Sequence, residues 1–249
     1  MNPSIINGLL NSNLKIVYFF LCLYFLAISA NGKEKFVFST ASAAPIQEIS
    51  EQVLHEAYYN IGFHIRVEPV PIACSLILSN KGYFDGELSR VEGIDKEFRN
   101  LLRVPVAINF IEAYAFIKNS DFPVLDWETI HPYRLVCVNG VKFIRRKMEH
   151  TNNNCHFVTT YTQAVNLIQL GRYEIAVIPK INGMAVINKE KLVDIKKSAN
   201  PLTKLNLYHY IHKKNRDIIP ALTEELIKME ASGRILAIRQ TYIEDNGLQ

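Results

Sequence analysis

Residues 36–67 read FVFSTASAAPIQEISEQVLHEAYYNIGFHIRV, and their pattern decides the fold class. The apolar run Phe36–Phe38 ends in a polar turn, and Pro45 stands at the first-turn position that proline favours in helices. Apolar residues then follow the spacing of one helical face up to Gly62: Ile46, Ile49, Val53, Leu54, Ala57, Tyr58 and Ile61. His64–Val67 is the next strand. The pattern predicts a βαβ unit, in which a helix joins two parallel strands.

This alternation continues along the chain. The first cycle adds a helix at residues 72–80 and strands at 84–88 and 104–108. The second cycle begins near residue 130, with strands at 133–138, 156–159 and 175–179 and helices at 141–148 and 162–170. The chain then returns through a strand at 205–211 and an amphipathic helix that stops at Gly233 and resumes as Arg234–Tyr242. The sequence therefore predicts an α/β fold.

Two successive α/β cycles with a returning tail predict two lobes, each a Rossmann-like sheet with flanking helices. We expect lobe one at residues 35–110 plus 204–242, because the first cycle has too few strands without the tail. Lobe two is then residues 111–203. Ligands of open α/β sheets bind beyond the carboxyl ends of the strands, and domain interfaces favour pockets. The predicted functional site is a cleft between the lobes.

The N-terminus predicts export. Ile16–Ile28 is an unbroken run of 13 apolar residues, preceded by Lys15 and followed by small residues up to Ala30. A membrane-spanning helix needs about 20 apolar residues, whereas the apolar core of a secretory signal peptide is shorter. We assign residues 1–30 to a signal peptide, with an uncleaved anchor as the alternative. The mature protein is then expected to be soluble and periplasmic.

The composition of the 249 residues, with 49% hydrophobic and 21% charged, is globular and excludes wholesale disorder. The formal net charge of +4 is too small to indicate a nucleic-acid partner. The sequence has no G-x-S-x-G, H-E-x-x-H or P-loop motif and no cysteine–histidine cluster with zinc spacing. We therefore expect no catalytic residue, no metal and no cofactor. A hydrolase using Cys137 and His156 is the enzymatic alternative.

Three cysteines follow the predicted signal peptide: Cys74, Cys137 and Cys155. Export permits a disulfide between Cys137 and Cys155. Buried free thiols are also common in globular proteins. The sequence leaves both states open.

Several short segments carry a family resemblance. They are Tyr83–Arg90 (YFDGELSR), which Pro71 and Leu76 precede, Asn100–Pro105 (NLLRVP), Leu170–Ile178 (LGRYEIAVI) and Leu207–Lys214 (LYHYIHKK). On these segments the chain resembles the family-3 extracellular solute-binding proteins, type II periplasmic binding proteins associated with amino-acid uptake. The resemblance implies a monomer that captures a small-molecule ligand by hinge closure and delivers it to the membrane permease of an ABC transporter.

The resemblance places ligand contacts where strands end and helices begin. A site for a carboxylate needs an arginine fork and free backbone amides. Arg90 follows a strand end and is the candidate fork, with a salt bridge to Glu87 or Glu92 as the structural alternative. Thr40 in the first loop and Glu87 are the other candidates from lobe one.

Lobe two supplies the remaining candidates. Asn139 and Gly140 precede a helix, where their amides would meet an anion; the alternative is an ordinary turn. Thr160 and Tyr161 precede the next helix and offer hydroxyl groups, with helix capping as the alternative. Lys180 follows the last strand of lobe two and would bind a second anionic group, unless it is simply solvated.

Two departures from the family pattern bear on the ligand. Amino-acid-binding members usually carry an acidic residue after the last strand of lobe two, where this chain has Ile178–Asn182 (IPKIN). They often carry an aromatic residue in the first loop, which Ser39–Pro45 lacks. We expect a small anionic or amino-acid-like ligand that is captured for transport. The alternative is an exported sensor or interaction module on the same scaffold, without a transporter.

Overall fold

The computed structural model describes residues 35–40, 44–118 and 126–248, and the predicted signal peptide lies outside these ranges. The strands are β1 (Lys35–Thr40), β2 (His64–Pro69), β3 (Gly86–Val91), β4 (Leu101–Lys118), β5 (Leu135–Val138), β6 (Cys155–Val158), β7 (Ile175–Pro179), β8 (Ile195–Lys197) and β9 (Thr203–His212). The helices are α1 (Pro45–Asn60), α2 (Ile72–Asn80), α3 (Lys142–His150), α4 (Tyr161–Gln169), α5 (Lys180–Glu190), α6 (Ile219–Ala231) and α7 (Arg234–Asp245). Within these ranges, no helix is long and apolar enough to cross a membrane.

The described strands form one mixed sheet in the order β2-β1-β3-β9-β4-β7-β5-β6, with β8 paired to β4. Strands of the first cycle occupy one end and pair in parallel around β1. Strands of the second cycle occupy the other end and pair in parallel around β5. The long antiparallel pair of β4 and β9 connects the two groups. The α/β fold class predicted from the sequence is confirmed.

The longest element differs most from its prediction. The sequence indicated a strand of five residues at 104–108, whereas β4 is continuous over 18 residues. Two elements were missed, β8 and α5. The sequence of α5, KINGMAVINKE, contains Gly183, which weakens a helix prediction. A Cβ at Gly183 would lie 2.5 Å from the Phe116 ring, so glycine is required for α5 to approach β4 closely.

Buried apolar residues form two large clusters. One joins the first cycle to the C-terminal helices and includes Phe38, Leu54, Leu222, Leu226 and Ile238. The other consists mostly of second-cycle residues, including Phe116, Val136, Ile144, Val165 and Val177. The returning tail therefore packs mainly on the first cycle, because the apolar face of its helices is buried against α1 and β4.

Cys137 and Cys155 form a disulfide, which resolves the alternative that the sequence left open. The bond joins the neighbouring strands β5 and β6, and β6 is at the end of the sheet. Closing an 18-residue separation reduces the entropy of the unfolded chain, which is worth about 3 kcal/mol of stability. Cys74 is exposed and is a free thiol.

His209 on β9 is a fully buried neutral imidazole. Its Nδ1 lies 3.0 Å from the carbonyl oxygens of Glu87 and Leu88, so this nitrogen carries the proton and donates. Its Nε2 lies 3.1 Å from the Tyr58 hydroxyl and accepts from it. The Phe38 ring packs edge-on at 4.5 Å. Burial lowers the pKa of His209 from 6.5 to about 4, because no solvent stabilises the imidazolium.

We expect His209 to make the protein less stable in mild acid. The unfolded chain binds a proton at this histidine near pH 6.5, whereas the folded chain binds it only near pH 4. Between those values the unfolded state binds more protons, so the free energy of unfolding falls as the pH is lowered. Denaturant titrations between pH 7.5 and 4 will measure this loss. His209→Gln is the control. If the free energy of unfolding fell with pH equally steeply in the wild type and in this variant, His209 would not contribute to the loss.

Candidate functional site

The candidate site begins at an irregularity in the pairing of β3 with β9. Glu87 is opposite Tyr210 and Arg90 is opposite Tyr208, so three steps on β3 match two on β9. Side chains three positions apart on a regular strand point to opposite faces, and an extra residue in a bulge changes this alternation. The bulge therefore allows Glu87 and Arg90 to meet.

Glu87 and Arg90 form an ion pair in the protein interior. Arg90 Nε donates to Glu87 Oε1 at 2.8 Å, and Nη2 lies 2.7 Å from the same oxygen. The Glu87 side chain is fully buried and that of Arg90 is 13% exposed. The salt bridge considered as an alternative for Arg90 is thus present with Glu87, whereas Glu92 pairs with Arg103.

Serine hydroxyls support the buried carboxylate. Ser39 and Ser75 donate to Glu87 Oε2 at 2.7 and 2.5 Å. Ser79 Oγ lies 2.6 Å from Ser39 Oγ and donates to the Gly86 carbonyl at 2.9 Å. Ser75 and Ser79 stand four residues apart on α2 and so share one helical face. These hydrogen bonds fix the buried carboxylate, which in turn holds the Arg90 guanidinium in place.

Arg90 lines a cavity of 70 Å³, called the Arg90 cavity below, between residues of the first and second cycles. Its other polar lining residues are Gln47, Ser89, Lys142 and Tyr161. Its remaining walls are Gly140 and the apolar residues Leu76, Val91, Ile94, Ile111, Val141, Phe143 and Leu207. Apolar walls with a few convergent polar groups are typical of small-molecule sites.

Two buried polar atoms at this cavity lack a hydrogen-bond partner within the described chain: Gln47 Oε1 and Ser89 Oγ. A buried polar group without a partner costs about 1–3 kcal/mol, so folded proteins rarely retain one without a reason. Guanidinium has five N–H donors, and Glu87 is contacted by Nε and Nη2 but not by Nη1. Arg90 is therefore fixed on one side and retains donors for a further acceptor.

Tyr161 adds a hydroxyl donor from the start of α4. Burial raises the pKa of Tyr161, while the nearby Asn182 amide and the Arg90 charge partly offset that rise. Tyr161 is therefore a neutral phenol at physiological pH and can donate to an anion.

The charge of the Arg90 cavity favours anions. Arg90 and Lys142 line it, and no acidic side chain of the described residues does. Glu87 compensates part of the Arg90 charge but is not among the lining residues. A ligand carboxylate would face a fixed guanidinium and a phenol, while the Lys142 ammonium contacts Glu97 at 3.4 Å. An ammonium group on the ligand would find no lining carboxylate in this part of the chain.

The predicted site residues divide into two groups. Arg90, Gly140 and Tyr161 line the cavity, while Glu87 lies behind Arg90. Four candidates are not lining residues: Thr40, Asn139, Thr160 and Lys180.

The structure accounts for these four candidates locally. The buried Thr40 ends β1, and its carbonyl accepts from Val70. Asn139 Oδ1 accepts from Arg145 at 2.9 Å. Thr160 caps α4 through a reciprocal capping box with Gln163, as the alternative for this residue proposed. Burial, and then the charge of Lys197, lowers the pKa of Lys180 at the start of α5.

Sequence reasoning missed several lining or supporting residues. Ser89 adjoins Arg90, and Gln47 lies in the first turn of α1, but neither position has a pattern that marks it. The serine pair on α2 was the available signal, because Ser75 and Ser79 stand at helical spacing in a nine-residue helix that is mostly apolar.

No family model matches the chain, and no curated protein matches it by sequence. Solved structures do match. A histidine kinase sensor domain with similarity to periplasmic binding proteins has a TM-score of 0.71 at 14% identity, covering 85% of this chain and 96% of its own.

This chain has a periplasmic-binding-protein fold.

Two further matches agree with this fold. The GluR0 ligand-binding core in complex with L-glutamate has a TM-score of 0.74 at 10% identity, covering 85% of this chain and 99% of its own. A probable amino-acid ABC transporter extracellular-binding protein from Bacillus subtilis has a TM-score of 0.69 at 12% identity, covering 84% and 98%. The resemblance to family-3 solute-binding proteins is confirmed at the level of the fold.

Proposed function

We propose that this chain is an exported solute-binding protein that captures a small anionic or amino-acid-like ligand at the Arg90 cavity. The observation that carries the proposal is Arg90 itself, a guanidinium fixed by Glu87 with further donors at a cavity of apolar walls. Such a group binds a carboxylate without first having to be ordered, which favours affinity. We assign no catalytic role to these residues.

Capture proceeds by closure of two lobes, residues 35–110 plus 204–242 and residues 111–203. The two buried clusters support this division, since each gathers most of its members from one of the lobes. The chain crosses between the lobes in β4 and β9, which serve as the hinge. A ligand held by Arg90 from one lobe and Tyr161 from the other stabilises the closed form.

Export to the periplasm is part of this proposal. The disulfide between Cys137 and Cys155 supports it, because disulfides persist in oxidising compartments and are rare in the cytosol. The predicted signal peptide at residues 1–30 provides the route. A membrane permease of an ABC transporter is the proposed partner, by analogy with the matched transporter-associated protein.

A sensor is the second candidate function. The match to a histidine kinase sensor domain favours it, because the same scaffold is used there outside transport. In a sensor, ligand-driven closure would be read by another protein rather than by a permease. Genes for a permease and an ATPase beside this one would favour transport over sensing, since a binding protein alone cannot move solute.

A thermal-shift screen tests the capture function. The panel contains the common L-amino acids and short mono- and dicarboxylic acids. A ligand present at 100 times its dissociation constant stabilises the folded state by about 2.7 kcal/mol, which raises the melting temperature by several degrees. We expect carboxylates to give the largest shifts. A panel in which no carboxylate raises the melting temperature would contradict the proposal.

A further inference from the structure

A second, larger cavity adjoins the site. Its volume is 510 Å³, and its lining includes Arg146, Lys147 and His150 of α3 together with Lys204 of β9. It is called the basic cavity below. Val91 and Phe143 line both this cavity and the Arg90 cavity, so the two meet at an apolar boundary.

The sizes of the two cavities differ in a way that concerns the ligand. Small-molecule sites usually have about 300–1,000 Å³, and the 70 Å³ of the Arg90 cavity is far below that range. The Arg90 cavity has room for one acid group and its immediate substituents. The 510 Å³ of the basic cavity lies within the range and can hold the rest of a longer molecule.

Most of the positive charge in the basic cavity is available to a ligand. Its acidic lining residue, Glu92, is engaged with Arg103. Arg146 lies 3.9 Å from Glu97, a long and exposed contact. Lys147 and His150 make no ion pair with any acidic residue in the described ranges. An anion entering this cavity therefore has few carboxylates to displace.

Helix polarity explains part of this cluster. Basic residues in a last turn stabilise the carboxyl end of a helix, and Lys147 and His150 are in the last turn of α3. That explanation does not extend to Lys204, which comes from β9 and lies over the Phe110 ring at 3.9 Å. Cations from two separate elements line one concave space beside an anion site.

We propose, resting on the capture function above, that the ligand is an elongated dianion with acid groups at both ends. One carboxylate binds Arg90 and Tyr161. An apolar spacer lies against Val91 and Phe143. The second carboxylate lies among Arg146, Lys147 and Lys204. The chemical class is that of α,ω-dicarboxylates and equivalent molecules with two acid ends, and an α-ammonium group is not required.

The test compares dicarboxylates with monocarboxylates of equal chain length. Calorimetric titrations of the full chain compare three pairs of equal chain length: adipate with hexanoate, pimelate with heptanoate, and suberate with octanoate. A second charge-assisted contact is worth about 1.4 kcal/mol or more, so we expect at least one dicarboxylate to bind about tenfold tighter than its monocarboxylate. Lys147→Gln/Lys204→Gln will remove that advantage and leave monocarboxylate binding within about twofold.

A matched control separates a local contact from net charge. Lys189→Gln/Lys228→Gln makes the same change in net charge at exposed residues that line neither cavity. Equal affinity for mono- and dicarboxylates, or equal effects of the two double variants, would overturn the dianion inference and leave capture at Arg90 intact. If no dicarboxylate binds, the inference is also overturned, and the capture function is then decided by the amino acids in the thermal-shift panel.

Discussion

Replacing Arg90 with lysine is expected to weaken ligand binding by about 10-fold to 150-fold, which corresponds to about 1.5–3 kcal/mol for lost hydrogen bonds to a charged group. Lysine keeps the positive charge and can still pair with Glu87. It lacks the planar fork that holds Glu87 through Nε while further N–H groups bind a carboxylate. Calorimetry with the strongest stabiliser from the thermal-shift panel measures the loss.

Arg234→Lys is the control for Arg90→Lys. Arg234 also pairs with a glutamate, Glu56, but neither residue lines a cavity of the site, so this variant should bind ligand as the wild type does. Melting curves of both variants show whether the fold is retained. A lowered melting temperature with unchanged affinity in Arg90→Lys would assign Arg90 a purely structural role.

Replacing Glu87 with glutamine is expected to lower the free energy of unfolding by about 3–5 kcal/mol, because it leaves the Arg90 cation in the interior without its anion. The serine hydroxyls that donate to the carboxylate also lose their charged acceptor. Urea denaturation in the absence of ligand measures the change. A second substitution, Arg90→Met, removes the unpaired cation and should recover part of the loss.

Glu92→Gln provides the comparison for Glu87→Gln. Glu92 also pairs with an arginine, but its side chain is 66% exposed. Exposed ion pairs contribute about 0–1 kcal/mol, so this variant should remain close to the wild type. If Glu87→Gln were no more destabilising than Glu92→Gln, the claim that Glu87 fixes Arg90 would be wrong.

The sequence predicted most of the fold because its signals are local. The apolar face of α1 and the buried run of β7 are visible as periodicity, and the structure has both close to their predicted bounds. The sequence did not predict α5 because the residue that argues against a helix there is required by tertiary packing. Gly183 is needed for packing against Phe116, so a residue that lowers the helix prediction is one that the packed helix requires.

The site was only partly predictable for a related reason. Arg90 and Tyr161 stand where a strand ends and a helix begins, and this topology is readable from the sequence. The pairing of Arg90 with Glu87 depends on a bulge between β3 and β9, and no local sequence pattern predicts this bulge. Gly86 is the residue in the sequence that comes closest to indicating this bulge, because a Cβ there would lie 2.1 Å from the Tyr210 carbonyl oxygen of β9.

The most direct test of capture at the Arg90 cavity is a crystal structure of the protein with its strongest stabiliser from the thermal-shift panel. We predict an acid group of the ligand within about 3 Å of both the Arg90 guanidinium and the Tyr161 hydroxyl, the usual length of charge-assisted hydrogen bonds. Arg90 should keep its bond to Glu87 in that complex. A ligand bound elsewhere, with Arg90 contacting only Glu87, would contradict the account.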